Sequence, residues 1–595
     1  MAVTFTDRGT WNKGASYTKF DIVHQDGRSF IAKVDTHPGI PTTRRKHWLK
    51  LAPGKTLADI TLRETTANCE RYNLIYSDGS TGHLQIDYSM ITSSDSPSLK
   101  RYGVSGIGQS AAALTRTFDA IGMTYTDNGD GTITSDFDNA VPWARKKCVG
   151  SWSATEDGKS VFTVSAYQGD PDYTEDGSIG NYVAVECPLC YYSFDSATGE
   201  LTISAHKYNG MQAFDIFCHD HDQDDLMPFY YRPAYALAKN EDGYAVSLPG
   251  LDNEQGNYKQ LVDAARSYDD GSVGNAAILT PMALNFYEWA LFTVEFATQN
   301  CQSIMNGCSS LRNDGADRLT FLDETHLLVS NYYNNRVAGE YIAVLAESVS
   351  DINNSSYKAT HKIKKVTKCN SSGDPDDSGT YTLLEVEDLG KDYWTYDLTG
   401  VTSYKIAGRP YRTGSCASVA TPSGSPVSNS DGWHPCQYRW AENPFGNQYY
   451  TVMDLFLLLT KDANDQDMCE AYYLPDPTSY EPSSTSKPDA TDFATDTFRK
   501  CDVEVAAANY VSGYIKSKKY SQNCPDVWIP YETTGGGQTT YFCDYAYLVH
   551  SSVSRAVRLG GPLHYGASVG LSIFSGSAAV SAGNSSYGGA LCMVQ

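Results

Sequence analysis

Charged side chains are scarce in this chain: Asp, Glu, Lys and Arg make up 19% of its 595 residues, against 41% hydrophobic ones. Basic residues are the scarcer sign, 46 Lys and Arg against 70 Asp and Glu, for a net charge of -24. A surface of that sign repels phosphate backbones, which argues against nucleic acid as a ligand. The nearest approach to a basic run is His361 to Lys368, where four Lys alternate with Ile363, Val366 and Thr367; this pattern is expected of the wet face of an edge strand. No apolar stretch approaches the roughly 18 residues that cross a membrane, so membrane insertion is not expected. Met1-Ala-Val-Thr-Phe5 lacks the charged start and apolar core of a signal peptide, so synthesis in a cytoplasm without classical export is expected. The 15 Cys are odd in number and scattered, which reads as buried reduced thiols and not as a disulfide framework.

Familiar catalytic punctuation is missing as well. There is no Gly-x-Ser-x-Gly elbow, no Gly-x-x-x-x-Gly-Lys-Ser/Thr phosphate loop and no His-Glu-x-x-His. Cys187-Pro-Leu-Cys190 has no second pair at zinc spacing, so two core thiols are expected. Cys218-His-Asp-His-Asp222 is the nearest thing to a metal cluster. His219 and His221 would share one strand face, yet no second half follows, and neither a metal nor another cofactor is expected. Thr126-Asp-Asn-Gly-Asp-Gly131 resembles half of a calcium loop, but Phe137 stands where the closing Glu belongs, and a hairpin turn fits better.

What is abundant is tyrosine: 43 Tyr against 20 Phe. Tyr suits strand faces and contact surfaces alike, since it joins a rigid ring to one polar handle. The length calls for two to four domains. Residues 1–52 carry Trp11, Tyr17, Phe20, Val23, Phe30, Ala32 and Trp48 among Gly and Pro turns, the pattern of a small all-β unit. It resembles the chitin-binding type of carbohydrate module, which is three-stranded, and the resemblance implies that Trp11, Tyr17 and Trp48 could stack on sugar rings or that the unit is only a joint to other virion tail proteins. Residues 53–98 hold short alternating strands (Ile60–Leu62, His83–Ile86) that cannot close a core alone; a connector able to trimerise is expected. From 99 to 595 the chain reads as one large α+β, β-rich domain. One helix is legible over Ala283 to Gln299, from Leu284, Tyr287, Leu291, Phe292 and Phe296 at helical spacing behind Pro281. The polar stretches 349–380 and 472–492 read as surface insertions or long loops.

Within that domain a set of motifs resembles the C-type-lectin-fold variable proteins of diversity-generating retroelements, known from phage tropism determinants. The motifs are Ser105-Gly-Ile-Gly-Gln109 to Arg116-Thr-Phe-Asp-Ala120, Asp170-Pro-Asp-Tyr173 with Tyr182 to Glu186 and Tyr191-Tyr192, Glu442-Asn-Pro-Phe-Gly446-Asn447, and Arg558-Leu-Gly-Gly561 with Gly566-Ala567, Gly570-Leu571 and Gly588-Gly589. The chain departs from the family pattern at two places: Leu563, His564 and Tyr565 stand where Trp and Asn are common, and Ala590 where the family commonly has Arg. The resemblance implies a C-type-lectin fold in the large domain and a receptor-binding protein at a virion's tail tip or fibre. It implies a homotrimer that meets a bacterial surface receptor, protein or glycan, through a hypervariable surface at about 541–587. It implies no catalysis.

Such diversification scatters Asn codons, and Lys, Glu, Gln, Met and Trp cannot arise from them. Those five types make up 81 of the 595 residues, yet the segment Thr539 to Cys592 contains none. Glycines 561, 566, 570, 576, 583 and 588 would hold a fixed backbone. Between them Pro562, His564, Tyr565, Ser568, Ser572, Ile573, Phe574, Ser575 and Ser577 are the expected solvent-facing set. Tyr541, Asp544, Tyr545, Tyr547, His550 and Ser552 would extend it along a strand with alternating faces from 541 to 547. Phe542 and Leu571 are expected in the core. The alternatives are a tail-spike polysaccharide depolymerase, which needs a cleft of convergent carboxylates, and a structural fibre or decoration protein.

Overall fold

The computed structural model describes residues 99–595 apart from 157, 312–316, 331–335, 354–359, 388–401, 462–463, 507–508, 510 and 550. In the first 98 residues it describes chiefly the strands. The protein is β-rich, with 40% strand and 11% helix. It divides into two compact units. One comprises residues 1–101, 188–193 and 203–230, and the other 102–187, 194–202 and 231–595.

The first unit opens with a four-stranded sheet, Thr6–Thr10, Asp21–Gln25, Arg28–Ala32 and Trp48–Lys50 in sequential order. The first pair is parallel and the others antiparallel. Its core is Tyr17, Val23, Phe30 and Ala32, with Trp11 packed at the edge. Tyr17 is therefore not a sugar-stacking ring. It is 4% exposed, and its hydroxyl accepts from the Asn12 amide at 2.6 Å; a unit this small must spend its rings on its own core. The side chain of Trp48 lies outside the described residues. Strands Leu57–Thr66, Cys69–Tyr76 and Thr81–Asp87 form an antiparallel three-stranded sheet over the expected connector.

The second unit is organised by the helix Met282–Phe296, all of whose residues are buried. A helix apolar on every face belongs inside a protein, and the spacing that marked it in the sequence is the spacing of its packing rows. Its two carboxylates are matched. Glu288 accepts from Arg145 at 2.8 Å and from Arg232 at 2.7 Å. Glu295 accepts from Arg439 Nε at 3.0 Å and from the Tyr438 hydroxyl at 2.9 Å. A shorter helix, Tyr258–Arg266, begins with an Asn257–Gln260 capping box.

The largest sheet runs Arg499–Ala506, Asp467–Tyr473, Tyr449–Lys461, Arg555–Leu559, Phe574–Gly576, Tyr545–Leu548 and Gly513–Tyr514, with Tyr587–Gly588 beside Tyr449–Lys461. Its strand at 449–461 is buried without a break from Thr451 to Leu458, as expected of a central strand.

A six-stranded closed barrel occupies residues 317–409, in the order Asp317–Phe321, His326–Ser330, Tyr381–Val386, His361–Cys369, Tyr341–Ala346 and Tyr404–Arg409. Leu319, Leu327, Val329, Ile342, Val344, Ile363, Leu384, Val386 and Ile406 fill it. The barrel corrects two expectations. The lysine-rich strand His361–Cys369 exposes Lys364, Lys365 and Lys368 as expected, but it is paired on both sides and is no edge. The polar stretch 349–380 also contains that strand and is not simply a long loop, because alternating Lys hides a half-buried strand behind polar composition. The stretch 472–492 is irregular over 474–489, as expected, but its ends belong to the strand Asp467–Tyr473 and the short helix Ala490–Phe493.

The two motif expectations resolve cleanly. Tyr125–Asp127 and Thr132–Ser135 form an antiparallel hairpin, and Cys187 and Cys190 are fully buried. Among the described residues no helix is long and apolar enough to cross a membrane.

Candidate ligand-binding surface

The strand Tyr545–Leu548 alternates half-exposed and buried residues, which puts Tyr545 and Tyr547 on one face and Ala546 and Leu548 in the core. It pairs in parallel with Phe574–Gly576, which pairs with Arg555–Leu559. The loop between those two strands returns Tyr565 beside Tyr547. The result is a continuous file of rings: Tyr514 to Tyr545 at 5.2 Å, Tyr545 to Tyr547 at 4.6 Å, Tyr547 to Tyr565 at 5.1 Å, Tyr565 to Tyr449 at 6.0 Å and Tyr449 to Tyr587 at 5.9 Å between centroids. Exposed His564 stands edge-on to Tyr565 at 4.7 Å. All but Tyr449 are half-exposed.

Small hydroxyls adjoin the rings: Ser568 lies beside the Tyr547 phenol, and Ser575 and Tyr565 beside that of Tyr449. Burial pushes the Tyr547 phenol up to about 12 and those of Tyr449 and Tyr565 up as well, so all three stay protonated and can donate at neutral pH. The fully buried Arg558 closes the file, its guanidinium 4.0 Å over the Tyr587 ring.

The backbone beneath is held by the motif residues. The Asn447 side chain accepts from the Tyr411 amide at 2.8 Å, and its carbonyl accepts from the Leu563 amide at 3.1 Å. The Glu442 carboxylate accepts from the Gly414 amide at 2.9 Å and the Cys416 amide at 2.5 Å, while burial pushes its carboxyl up to about 7. Gly561 has φ 70°, and a Cβ there would lie 2.7 Å from Val569 and Ile573; only Gly fits.

A polar cluster lies under the same strand. Lys518 points its ammonium at the rings of Trp528 (3.7 Å), Phe542 (4.5 Å) and Trp289 (4.6 Å) and donates to Ser572 Oγ at 2.8 Å. Asp544 accepts from the Ser572 amide at 2.7 Å. Burial pulls Lys518 down to about 7 and pushes Asp544 up to about 7. Gly570 is forced here, since a Cβ would sit 2.2 Å from Asp544 Oδ1.

Of the residues expected to face solvent, the structure brings Tyr545, Tyr547, His564, Tyr565 and Ser568 together. Tyr541, Ser552 and Ser577 are also at least partly exposed. Asp544, Pro562, Ser572, Ile573, Phe574 and Ser575 are buried and do not belong to an exposed set. The reason is topological. Residues 574–576 form an interior strand of the sheet, and 570–573 lie over Asp544, so a segment rich in Ser and Gly packs as core. Residues 541–543 form a turn, with φ 58° at Tyr541 and 62° at Cys543, so strand alternation begins only at 545. His550 lies outside the described residues. Phe542 and Leu571 are core, as expected.

Sequence reasoning missed Tyr514, Tyr449 and Tyr587, which join the file from distant segments and carry no local signal. Trp11 is half-buried in the first module. His219 and His221 do not share a strand face. Asp220 and His221 form the two-residue turn between paired His219 and Asp222, with φ 50° and 64°, and His221 Nδ1 is 2.8 Å from Asp215. Among the described residues no group of three His, Cys, Asp or Glu side chains is placed to hold a metal ion. Neither a known family model nor a curated protein matches this sequence.

Proposed function

We propose that the chain is a host-recognition protein of a bacterial virus, carried at the tail tip or fibre, which displays a variable tyrosine-rich surface on a C-type-lectin scaffold. The observation that carries the reading is the ring file. Half-exposed Tyr545, Tyr547 and Tyr565 adjoin one another within the very segment that lacks Lys, Glu, Gln, Met and Trp. Tyr gives large, rigid contact area at small entropic cost and adds a hydrogen-bonding hydroxyl, the chemistry favoured wherever a surface must bind partners not fixed in advance. The supporting layout is a backbone held by Asn447, Glu442 and Arg558 under side chains that can change without disturbing it. Each patch is small, and a homotrimer would multiply its affinity. The non-enzymatic reading rests on the same face, which offers hydroxyls and an imidazole where a depolymerase would gather carboxylates.

The test is to sequence the gene and its flanks from independent isolates. The codons for Tyr545, Tyr547, His564 and Tyr565 are expected to vary at template adenines, near a reverse transcriptase gene, while those for Arg558, Gly561 and Gly570 stay fixed. Invariant codons with no such cassette would overturn the diversified reading, and cleavage of host capsule by the purified protein would put the depolymerase in its place.

A further inference from the structure

Away from the tyrosine file, two thiols are held together by a hydrogen-bonded frame. Cys501 lies in the strand Arg499–Ala506, and Cys524 in the loop after the strand Ser517–Tyr520; they are 2% and 0% exposed. The Asp502 carboxylate accepts from Ser521 Oγ at 2.7 Å and the Gln522 amide at 3.0 Å. Asn523 Oδ1 accepts from the Asp502 amide at 3.0 Å, its Nδ2 donates to the Lys500 carbonyl at 3.0 Å, and Arg499 donates to the Asn523 carbonyl at 2.9 Å. Residues 521–523 are thus clamped against 499–502, which sets Cys501 and Cys524 on adjoining segments, and the Cys524 thiol donates to Asn523 Oδ1 at 3.3 Å. The surroundings divide their roles. The neighbouring Cys501, with further help from Ser521 and nearby Arg499, pulls Cys524 down, while Cys524 and burial push Cys501 up. Gln522 and Asn523, next to Cys524 in the chain, are exposed, so a small oxidant meets this loop at the surface.

We propose that Cys501 and Cys524 form a reactive thiol pair that small hydroperoxides oxidise to a disulfide, stapling the loop to the sheet. The Cys524 thiolate attacks one peroxide oxygen; the O–O bond breaks, and hydroxide leaves and takes up a proton, giving a sulfenic acid and water. Cys501 then loses its proton and attacks the sulfenic sulfur; the S–O bond breaks, and hydroxide leaves with that proton as a second water. Two thiols and one hydrogen peroxide become one disulfide and two waters, a two-electron oxidation of the pair. The staple would fix the hairpin Ser517–Tyr520 and Trp528–Glu532, which carries Lys518 and Trp528 beneath Asp544. A chain assembled in a reducing compartment and used outside it would gain rigidity on release. The inference rests on the clamp and stands whether or not the protein recognises a host.

The test treats the full-length reduced protein with stoichiometric hydrogen peroxide, then alkylates it in denaturant and digests it with trypsin. Lys516, Lys518 and Lys519 lie between the two cysteines, so their peptides separate unless linked. The expected product is a linked Cys501–Cys524 peptide pair, two hydrogens lighter than its parts, with an unfolding midpoint raised by a few degrees. In Cys501→Ser, Cys524 should instead be trapped by dimedone as the sulfenic acid, with no rise in midpoint. Full recovery of both cysteines as alkylated thiols would overturn the proposal, as would equal dimedone labelling of Cys524 in the wild type and in Cys501→Ser.

Discussion

Replacing Lys518 with Met tests whether its ammonium is held at a cost under the tyrosine strand. Burial among Trp289, Trp528 and Phe542 lowers this amine from its ordinary value of 10.5 to about 7. The folded protein therefore releases the proton near pH 7, while the unfolded chain keeps it to about pH 10.4. Between those values the unfolded state binds more protons, and stability rises with pH at about 1.4 kcal/mol per unit. From pH 7 to pH 9 this amounts to about 2–3 kcal/mol of stability. Lys518→Met keeps the volume and removes the titration. Asp544 titrates in the opposite sense, yet the stability lost through it in the variant widens the same gap. Its carboxyl, raised to about 7, gives a contribution that falls as pH rises from about 4 to 7, and without the ammonium that fall extends to higher pH. Urea unfolding of both proteins at pH 6 and pH 9, followed by near-ultraviolet circular dichroism, measures the gap. The wild type should gain about 2–3 kcal/mol on the variant between the two pH values. A gap constant within 0.5 kcal/mol (about a third of one pH unit's slope), or one moving the other way, refutes a buried, depressed lysine.

Arg439→Met should cost about 3–5 kcal/mol, because it strands Glu295 without its cation inside the helix core; thermal unfolding reads the loss, and Glu295→Gln in the same background should recover part of it. Gly570→Ala forces a methyl against Asp544 and should cost about 1–3 kcal/mol, measured as a lower urea midpoint. His361, buried in the barrel and lowered to about 4, takes up its proton only on unfolding between about pH 4 and 6.5. The barrel should thus lose about 3 kcal/mol as pH falls through that window, and His361→Gln should flatten the dependence in an acid titration. Tyr545→Ala with Tyr565→Ala should weaken adsorption to host cells about 30-fold or more with little change in unfolding, as losing central aromatic anchors does; undiminished adsorption would move the binding face elsewhere.

The sequence by itself determined whatever is written in local spacing. The helix at 282–296 was legible because apolar residues recur at its packing period, the hairpin at 125–135 because Asp, Asn and Gly mark its turn, and the alternation at 545–548 because a half-buried strand has period two. The depletion of Lys, Glu, Gln, Met and Trp after residue 538 likewise needed no coordinates. Tertiary structure alone decided which small polar residues are covered. Ser572 and Ser575 resemble exposed Ser in composition, yet one is sealed by Asp544 and Lys518 and the other by neighbouring strands. It alone assembled the tyrosine file, since Tyr449, Tyr514 and Tyr565 are neighbours only through long-range pairing. It also closed a barrel around a lysine-rich strand that lies in a stretch whose polar composition had read as an insertion or long loop. Burial is a property of what packs on top of a residue, and what packs on top comes from elsewhere in the chain.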